Sequence, residues 1–278
     1  MVYYVDGQFV EADSAAIPLS DLGVIRGYGV FDFTRTYHRQ PFYLDEHIAR
    51  LFRSAALIDL EIPWSQAEIR DIVQQTLAHN PHLTEAYIRI IVTGGDGLDS
   101  ITLAERPRLI VLVNPATPPS QSAYQQGEKV ITVREQRYLP QAKTLNYIPA
   151  IRAMKQAHKA GAIDAIYVDP QGHVLEGTTT NIFAFFGETL ITPNDNILDG
   201  ITRMIVINLA QSVFDVQQRV LTLNDLYNAD EVFITSSHKQ ILPIVQVDEH
   251  TIGNGIPGER TRRMMSLFAE HAGIALTP

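Results

Sequence analysis

The sequence predicts two α/β or α+β domains joined by a linker. The chain has 278 residues, which is enough for two packed domains of ordinary size. Short apolar runs typical of strands alternate with stretches in which apolar residues recur at helical spacing. The segment Pro115–Ser122 interrupts this pattern with prolines and small polar residues. We therefore predict a linker at residues 115–127, between a small domain over 1–114 and a larger domain over 128–278.

The N-terminal part is predicted to contain a hairpin, two helices and two strands. Asp6-Gly7 has the residue types of a two-residue hairpin turn. Asp45 is the expected N-cap of the first helix. Ser65 and Glu68 have the spacing of a capping box for the second. The strands are expected at 86–93 and 109–114.

Beyond the linker, strands and helices alternate again, which indicates a second mixed domain. Its strands are expected at 129–134, 165–168, 181–186, 189–192 and 231–235. Its helices are expected at 148–160, 201–213 and 260–272.

Composition excludes several classes of function. The net charge of −9 argues against a nucleic-acid partner, because phosphate backbones need basic patches. There is no cysteine, so disulfides and thiolate metal sites are absent. His79 and His82 flank Asn80-Pro81, which disfavours a helix that could present both to a metal, and we predict no metal site. Without a signal peptide or a long apolar run, the sequence predicts a cytoplasmic protein without membrane contact.

Lys143 and Glu176 are the most informative pair of residues. Lys143 lies among small and apolar neighbours, and Glu176 precedes the run of small residues 177–181. A lysine that forms a Schiff base and a carboxylate that keeps a pyridine nitrogen protonated are what pyridoxal 5'-phosphate requires. Taken singly, each would be read as an exposed surface residue, and only the pair favours this cofactor.

A cofactor phosphate needs hydrogen-bond donors. Residues 200–203, Gly-Ile-Thr-Arg, open an apolar helical pattern and could bind an anion through free amides, although simple helix capping is an equal alternative. Residues 235–238, Thr-Ser-Ser-His, end a predicted strand and offer further hydroxyls, or form only a polar turn. Arg50 could add a positive charge, or lie on a solvated helix face.

Arg26 and Arg89 are candidates for binding a substrate carboxylate. Arg26 lies among glycines and apolar residues, and Arg89 lies within a strongly apolar predicted strand. A guanidinium in such surroundings needs an anion or a wet cavity, and it binds a carboxylate in a fork. An internal salt bridge is the alternative.

These motifs together resemble the class IV, or fold type IV, pyridoxal-phosphate transaminases over nearly the whole chain. That family includes branched-chain aminotransferases, D-amino acid transaminases and aminodeoxychorismate lyase. The matching segments are Arg26–Phe31, Leu44–Leu51, Lys143, Glu176–Phe183, Leu198–Arg203 and Asp230–Ser237.

The resemblance implies a fold with a small N-terminal α/β domain and a larger domain with a barrel-like sheet. It implies that Lys143 is the Schiff-base lysine and Glu176 the partner of the pyridine nitrogen. It also implies a homodimer with shared active sites, in which residues near the N-terminal glycine-rich segment enter the neighbour's site. Further cofactor contacts are implied at Arg50, Tyr147, Leu198, Ile201, Thr202, Ser236 and Ser237.

Two departures from the family's best-known members bear on the substrate. Branched-chain enzymes usually carry a tyrosine where this chain has Arg26. The familiar D-amino acid transaminases use an Arg-x-His pair in the loop that here reads Gly94–Ser100 and contains neither residue. The chain is most similar to a less usual D-amino acid group, in which two arginines placed like Arg26 and Arg89 bind the α-carboxylate. We therefore expect a D-amino acid transaminase that uses 2-oxoglutarate or pyruvate as acceptor. The alternatives are an L-branched-chain aminotransferase, an aminodeoxychorismate lyase and, from another class, a cofactor-binding regulatory protein without turnover.

Overall fold

The computed structural model describes residues 1–97, 99, 101–104 and 106–275. Within these the chain forms two compact units. Unit 1 contains Met1–Thr117 and the short segment Ala142–Asn146, and unit 2 contains Pro118–Gln141 and the chain from Tyr147 onward. The segment that carries Lys143 thus packs with unit 1, although the residues on both sides of it belong to unit 2. The range predicted as a linker, 115–127, contains the junction of the two units and a short helix.

Unit 1 is an antiparallel sheet with helices packed on it. Among the described residues the strands run in the order β2-β1-β6-β5-β3-β4. The predicted hairpin and both predicted strands are confirmed, whereas the long strand β3 was not predicted. The strands are β1 Val2–Val5, β2 Gln8–Glu11, β3 Gly29–Tyr37, β4 Gln40–Pro41, β5 Ala86–Thr93 and β6 Arg108–Pro115; the helices are α1 Leu22–Arg26, α2 Leu44–Ala56 and α3 Gln66–Ala78.

The prediction for the start of α2 is wrong by two residues. The helix begins at Leu44 after Tyr43, which adopts a left-handed conformation with φ 54° and makes no side-chain cap. Asp45 lies inside the first turn, where its carboxylate accepts a hydrogen bond from Arg70 Nε at 2.7 Å. The capping box of α3, formed by Ser65 and Glu68, is confirmed.

The two faces of the unit 1 sheet differ in character. On one face Ile88 and Ile90 of β5 pack in a buried apolar core with Ile48 of α2 and Ile69 of α3. Successive strand residues point to opposite faces, so Arg89 and its cross-strand partner Phe33 lie on the other face. This second face carries Arg89, whereas Arg50 of α2 bonds Asp32 of β3, whose cross-strand partner Ile90 lies on the core face.

Unit 2 contains a larger mixed sheet that curls into a half-barrel, as the resemblance implied. Its path through the described residues is β12-β11-β10-β14-β15-β7-β8-β9-β13, with β16 paired to β15. The strands are β7 Glu128–Arg134, β8 Asp164–Val168, β9 His173–Gly177, β10 Asn181–Phe186, β11 Thr189–Thr192, β12 Asp215–Gln218, β13 Leu221–Thr222, β14 Glu231–Ser236, β15 Gln240–Val247 and β16 His250–Thr251. The helices are α4 Gln121–Gln126, α5 Ile148–Lys159, α6 Ile201–Ala210, α7 Leu223–Tyr227 and α8 Glu259–Ala272.

The predicted elements of unit 2 are present, although helix α6 ends at Ala210 and not at residue 213. Six elements were not predicted: helices α4 and α7 and strands β12, β13, β15 and β16. In β15, Pro243 interrupts the apolar run, and proline is disfavoured inside a strand. The predicted glycine-rich loop Gly94–Ser100 includes residues 98 and 100, which lie outside the described residues. Of the helices described, none combines the length and apolar character that crossing a bilayer requires.

Candidate active site

The backbone of Lys143 is fixed on the edge of β3. Its amide donates to Ser54 Oγ at 3.1 Å, and its carbonyl accepts the Phe31 amide at 2.9 Å. The next residue, Thr144, bridges to Val30 of β3. The half-buried Lys143 side chain places Nζ 4.7 Å from the centre of the Phe31 ring. The amine therefore lies on the face of the sheet that does not form the apolar core.

Arg89 lies on the same face. Its guanidinium carbon is 5.7 Å from the ring centres of both Phe31 and Phe33. The side chain is exposed, and among the described residues no carboxylate pairs with it. Lys143 and Arg89 thus both lie close to one ring, Phe31, with the guanidinium available to an external anion.

Arg26 is the last residue of α1, directly before Gly27, whose φ of 66° ends the helix. Its side chain is exposed, and the guanidinium donates to the carbonyl of Ile25, at 2.9 Å. No acidic side chain of the described part of the chain forms an ion pair with Arg26. Within the described residues, neither Arg26 nor Arg89 therefore forms the internal salt bridge that was the alternative for both.

Arg50 is buried and does not lie on a solvated face. It forms two hydrogen bonds with the buried carboxylate of Asp32, from Nε at 2.9 Å and from Nη2 at 2.8 Å. His47 Nδ1 lies 2.6 Å from the same carboxylate. Arg50 and His47 hold the pKa of Asp32 far below its usual range against the opposing effect of burial. The sequence did not identify Asp32 or His47, although His47 stands inside one of the segments that carry the family resemblance and Asp32 directly follows another.

Glu176 of β9 is buried and has two well-defined partners in unit 2. Arg137 donates from Nε to Oε1 at 2.8 Å, and its Nη2 lies 2.7 Å from the same oxygen. The Leu198 amide donates to Oε2 at 2.9 Å. Arg137 also donates to the carbonyl of Pro140, three residues before Lys143. Arg137 is a residue that sequence reasoning missed, because nothing in the pattern around it distinguishes it from an exposed arginine.

Tyr167 of β8 is a further residue that the sequence did not identify. It is almost completely buried, and its hydroxyl has no hydrogen-bonding partner among the described residues. Burial is the main cause of the raised pKa of Tyr167; the charge of Arg137 opposes this rise and that of Glu176 adds to it. The phenol therefore stays protonated at neutral pH, as a donor within the electrostatic field of the Glu176–Arg137 pair.

The predicted anion-binding residues of unit 2 lie at a helix start and at a strand end. Helix α6 begins at Ile201 after Gly200, and no side chain caps it. Ser236 ends β14 and Ser237 opens the following turn. Among the described residues, neither the Thr202 nor the Ser237 hydroxyl has a hydrogen-bonding partner. A phosphate accepts hydrogen bonds from free amides at a helix N-terminus and from free hydroxyls.

Tyr147 and Leu198 complete the predicted set. Tyr147 is the half-buried N-cap of α5, with no hydrogen bond from its side chain to that helix. Leu198 is half-buried, and its carbonyl accepts a hydrogen bond from Asn181 Nδ2 at 2.9 Å while its amide binds Glu176. The loop before α6 is thus fixed to the strand that carries Glu176.

Comparison with known proteins agrees with these features. The family model for amino-transferase class IV matches residues 29–247. A putative branched-chain-amino-acid aminotransferase of Methanocaldococcus jannaschii is 37% identical over 97% of this chain and 96% of its own length. A D-alanine aminotransferase of Bacillus licheniformis is 30% identical, covering 94% of this chain and 93% of that protein.

A solved structure is also closely similar. It is a branched-chain amino acid aminotransferase of T.th. in complex with N-(5'-phosphopyridoxyl)-L-glutamate. It superposes with a TM-score of 0.90 and 27% identity, over 98% of this chain and 93% of that one. The chain belongs to the class IV aminotransferases, because the family model matches most of the chain and two relatives are at least 30% identical. The fold agrees with this assignment.

Proposed function

We propose that the protein binds pyridoxal 5'-phosphate and transfers an amino group between a D-amino acid and a 2-oxo acid, either 2-oxoglutarate or pyruvate. The observation that carries this proposal is the placement of Lys143 and Arg89 around Phe31 on one sheet face. There, an amine and a guanidinium both lie near one ring, and no carboxylate of the described residues pairs with the guanidinium. A transaminase needs this combination, since a base must reach Cα of a substrate whose carboxylate is held in place.

The residues present fit the cofactor. Glu176 offers a buried carboxylate for a protonated ring nitrogen, held in place by Arg137. The uncapped start of α6 and the hydroxyls of Thr202 and Ser237 offer donors for a phosphate. The phosphopyridoxyl-glutamate adduct in the T.th. relative supports the same cofactor. Bound pyridoxal phosphate supplies an electron-poor ring that accepts the electrons of a substrate C–H bond.

The proposed roles are those that the resemblance to the family implies. Lys143 would bind the cofactor and move a proton at Cα of the substrate. Glu176 would orient the ring through its nitrogen, Tyr147 would reach the phenolic oxygen of the cofactor, and Leu198 would pack on the ring. Arg50, Ile201, Thr202, Ser236 and Ser237 hold the phosphate.

The D-preference rests on Arg26 and Arg89. A base on one side of the substrate removes only the hydrogen that faces it, so chirality follows from the orientation of the carboxylate. Both arginines are exposed and lack internal carboxylate partners among the described residues, which supports a role in holding that carboxylate. The relationship to the D-alanine aminotransferase of B. licheniformis is consistent with this preference.

An L-branched-chain aminotransferase is the second candidate, favoured by the higher identity to the M. jannaschii protein. The deciding experiment adds single D- and L-amino acids to the cofactor-loaded protein and follows the loss of its visible absorption band. Loss with D-alanine or D-glutamate supports the proposal. Loss with L-leucine or L-valine alone would replace it by the second candidate. Pyruvate release from aminodeoxychorismate without an added 2-oxo acid would indicate the lyase.

We also propose a homodimer in which Arg26 of one copy contributes to the site of the other. Val24 and Ile25, next to Arg26 on α1, are apolar yet 51% and 38% exposed, which favours their coverage by a second copy. Light scattering measures the mass in solution. A monomer that retains full activity would contradict a shared site.

A further inference from the structure

Lys239 is a buried lysine in the turn between β14 and β15, and the proposed mechanism does not use it. It is only 8% exposed. Its amide donates to Ser236 Oγ at 3.0 Å, and its carbonyl accepts the Tyr124 hydroxyl at 3.1 Å. The backbone at Lys239 is therefore fixed directly against a serine of the proposed phosphate site.

The ammonium group of Lys239 reaches away from its own turn. It lies 3.5 Å from Asp164 Oδ2 and 3.5 Å from Thr179 Oγ1. Asp164 is fully buried at the start of β8. A buried lysine is tolerated only with an anionic partner, so this ion pair accounts for its burial. The pair also occupies the amine of Lys239, which is therefore not available for covalent chemistry.

The same carboxylate organises the turn that follows Glu176. Asp164 accepts hydrogen bonds from Thr178 Oγ1 at 2.6 Å and from Thr180 Oγ1 at 2.9 Å. A Cβ on Gly177 would lie 2.1 Å from Thr180 Oγ1, so this turn is packed too tightly for a side chain there. Asp164 thus provides a rigid anchor inside unit 2, on which the 177–180 turn is fixed.

We propose that Lys239 is a positioning residue for the cofactor: its ion pair with Asp164 fixes the Ser236–Ser237 turn on this anchor and thereby sets the affinity for the phosphate group. This inference rests on the proposed function. Glu176 has its own supports, Arg137 and Leu198, so the ring end of the site does not depend on Lys239. The expected defect is therefore confined to phosphate binding.

The variant Lys239→Met keeps the length of the side chain and removes its charge. We expect its dissociation constant for pyridoxal phosphate to rise about tenfold, which corresponds to losing one hydrogen bond from the Ser236–Ser237 turn to the charged phosphate. At saturating cofactor, kcat should stay within about threefold of the unchanged protein, because a weakened phosphate contact is compensated by mass action. Lys129→Met is the matched control, because Lys129 pairs with Glu249 at the surface, at 3.2 Å.

A purely structural ion pair would give another pattern. In that case the melting temperature of the cofactor-free Lys239→Met protein would fall. Its dissociation constant for pyridoxal phosphate, and the rise in melting temperature that inorganic phosphate causes, would match those of Lys129→Met. That outcome would overturn the inference. The expected result is a smaller phosphate-induced rise in melting temperature for Lys239→Met than for the control.

The double variant Lys239→Met/Asp164→Asn tests whether the two residues act as a unit. If they do, the dissociation constant of the double variant for pyridoxal phosphate should be no higher than that of the weaker-binding single variant. A dissociation constant raised by the product of the two single-variant increases would contradict the proposal. If the unchanged protein itself does not bind pyridoxal phosphate, the proposed function fails. If it binds and Lys239→Met binds equally well, only the role of Lys239 fails.

Discussion

The half-buried Arg137 forms an ion pair with the buried Glu176, in which Arg137 Nη2 lies 2.7 Å from Glu176 Oε1. Arg137 simultaneously donates to the carbonyl of Pro140, three residues ahead of Lys143. One guanidinium therefore contacts the carboxylate proposed to meet the cofactor ring and the chain that leads to the proposed Schiff-base lysine. We therefore expect Arg137 to hold Glu176 in the orientation that its proposed role requires.

Replacing Arg137 by methionine should lower kcat about 10- to 100-fold at saturating pyridoxal phosphate, since an active-site group that loses its orienting partner costs this much. Glu176 would lose its charged partner and could turn away from the ring. Steady-state kinetics with excess cofactor measures the effect. The control is Arg134→Met, at the exposed end of β7. Equal kcat for the two variants would show that Arg137 does not orient Glu176.

Replacing Lys143 by alanine should remove turnover, with a loss of about a thousandfold or more, because the same amine binds the cofactor and moves the proton. The visible absorption band of the bound cofactor should disappear as well. Lys159→Ala, on the exposed end of α5, serves as the control and should retain both. Full activity in Lys143→Ala would refute the proposed mechanism.

Replacing Arg89 by leucine should reduce kcat/KM about a hundredfold for every accepted amino acid, the value of two charge-assisted hydrogen bonds to one carboxylate. The absorption band should be unchanged, because Arg89 is proposed to contact substrate and not cofactor. Arg26→Leu should give the same pattern. The control Arg152→Leu, on an exposed face of α5, should leave both kcat/KM and the absorption band unchanged. A selective loss for amino acids with acidic side chains would instead assign Arg89 to the side-chain carboxylate.

His47 should make stability pH-dependent. Burial is the main cause of its lowered pKa, and the charges of Arg50 and Lys143 add to it, whereas Asp32 opposes it. Below about pH 6.5 the unfolded chain binds a proton that the folded protein excludes, so stability should fall with falling pH by at most about 1.4 kcal/mol per pH unit.

The variant His47→Asn keeps a donor for Asp32 and removes the titration. Melting temperatures between about pH 7.5 and 5.5, a window around the ordinary histidine pKa, should therefore fall less steeply for His47→Asn than for the unchanged protein. His158→Asn, at an exposed position of α5, should keep the original slope. Parallel slopes for all three proteins would mean that His47 takes up its proton equally in both states.

The sequence alone determined the family, the cofactor hypothesis and most elements. Its strongest signals are local: the Asp6-Gly7 turn, the capping box of α3 and the alternation in β5 depend only on neighbouring residues, and the structure confirms them. Lys143 and Glu176 were found because a few short motifs in order define this family. Strand β15 was missed; Pro243 interrupts its apolar run, but cross-strand pairing with β14 forms the strand.

Only the tertiary structure decided which groups neutralise which charges. Asp32 lies 18 residues from Arg50, Arg137 39 residues from Glu176 and Lys239 75 residues from Asp164 in the chain, and folding brings each pair within 3.5 Å or less. A buried charge must find a partner wherever packing provides one, and sequence spacing carries no information about that choice. In the described part of the chain, Arg26 and Arg89 have no internal carboxylate partner. The sequence alone could not decide between an internal salt bridge and an external anion for these two residues.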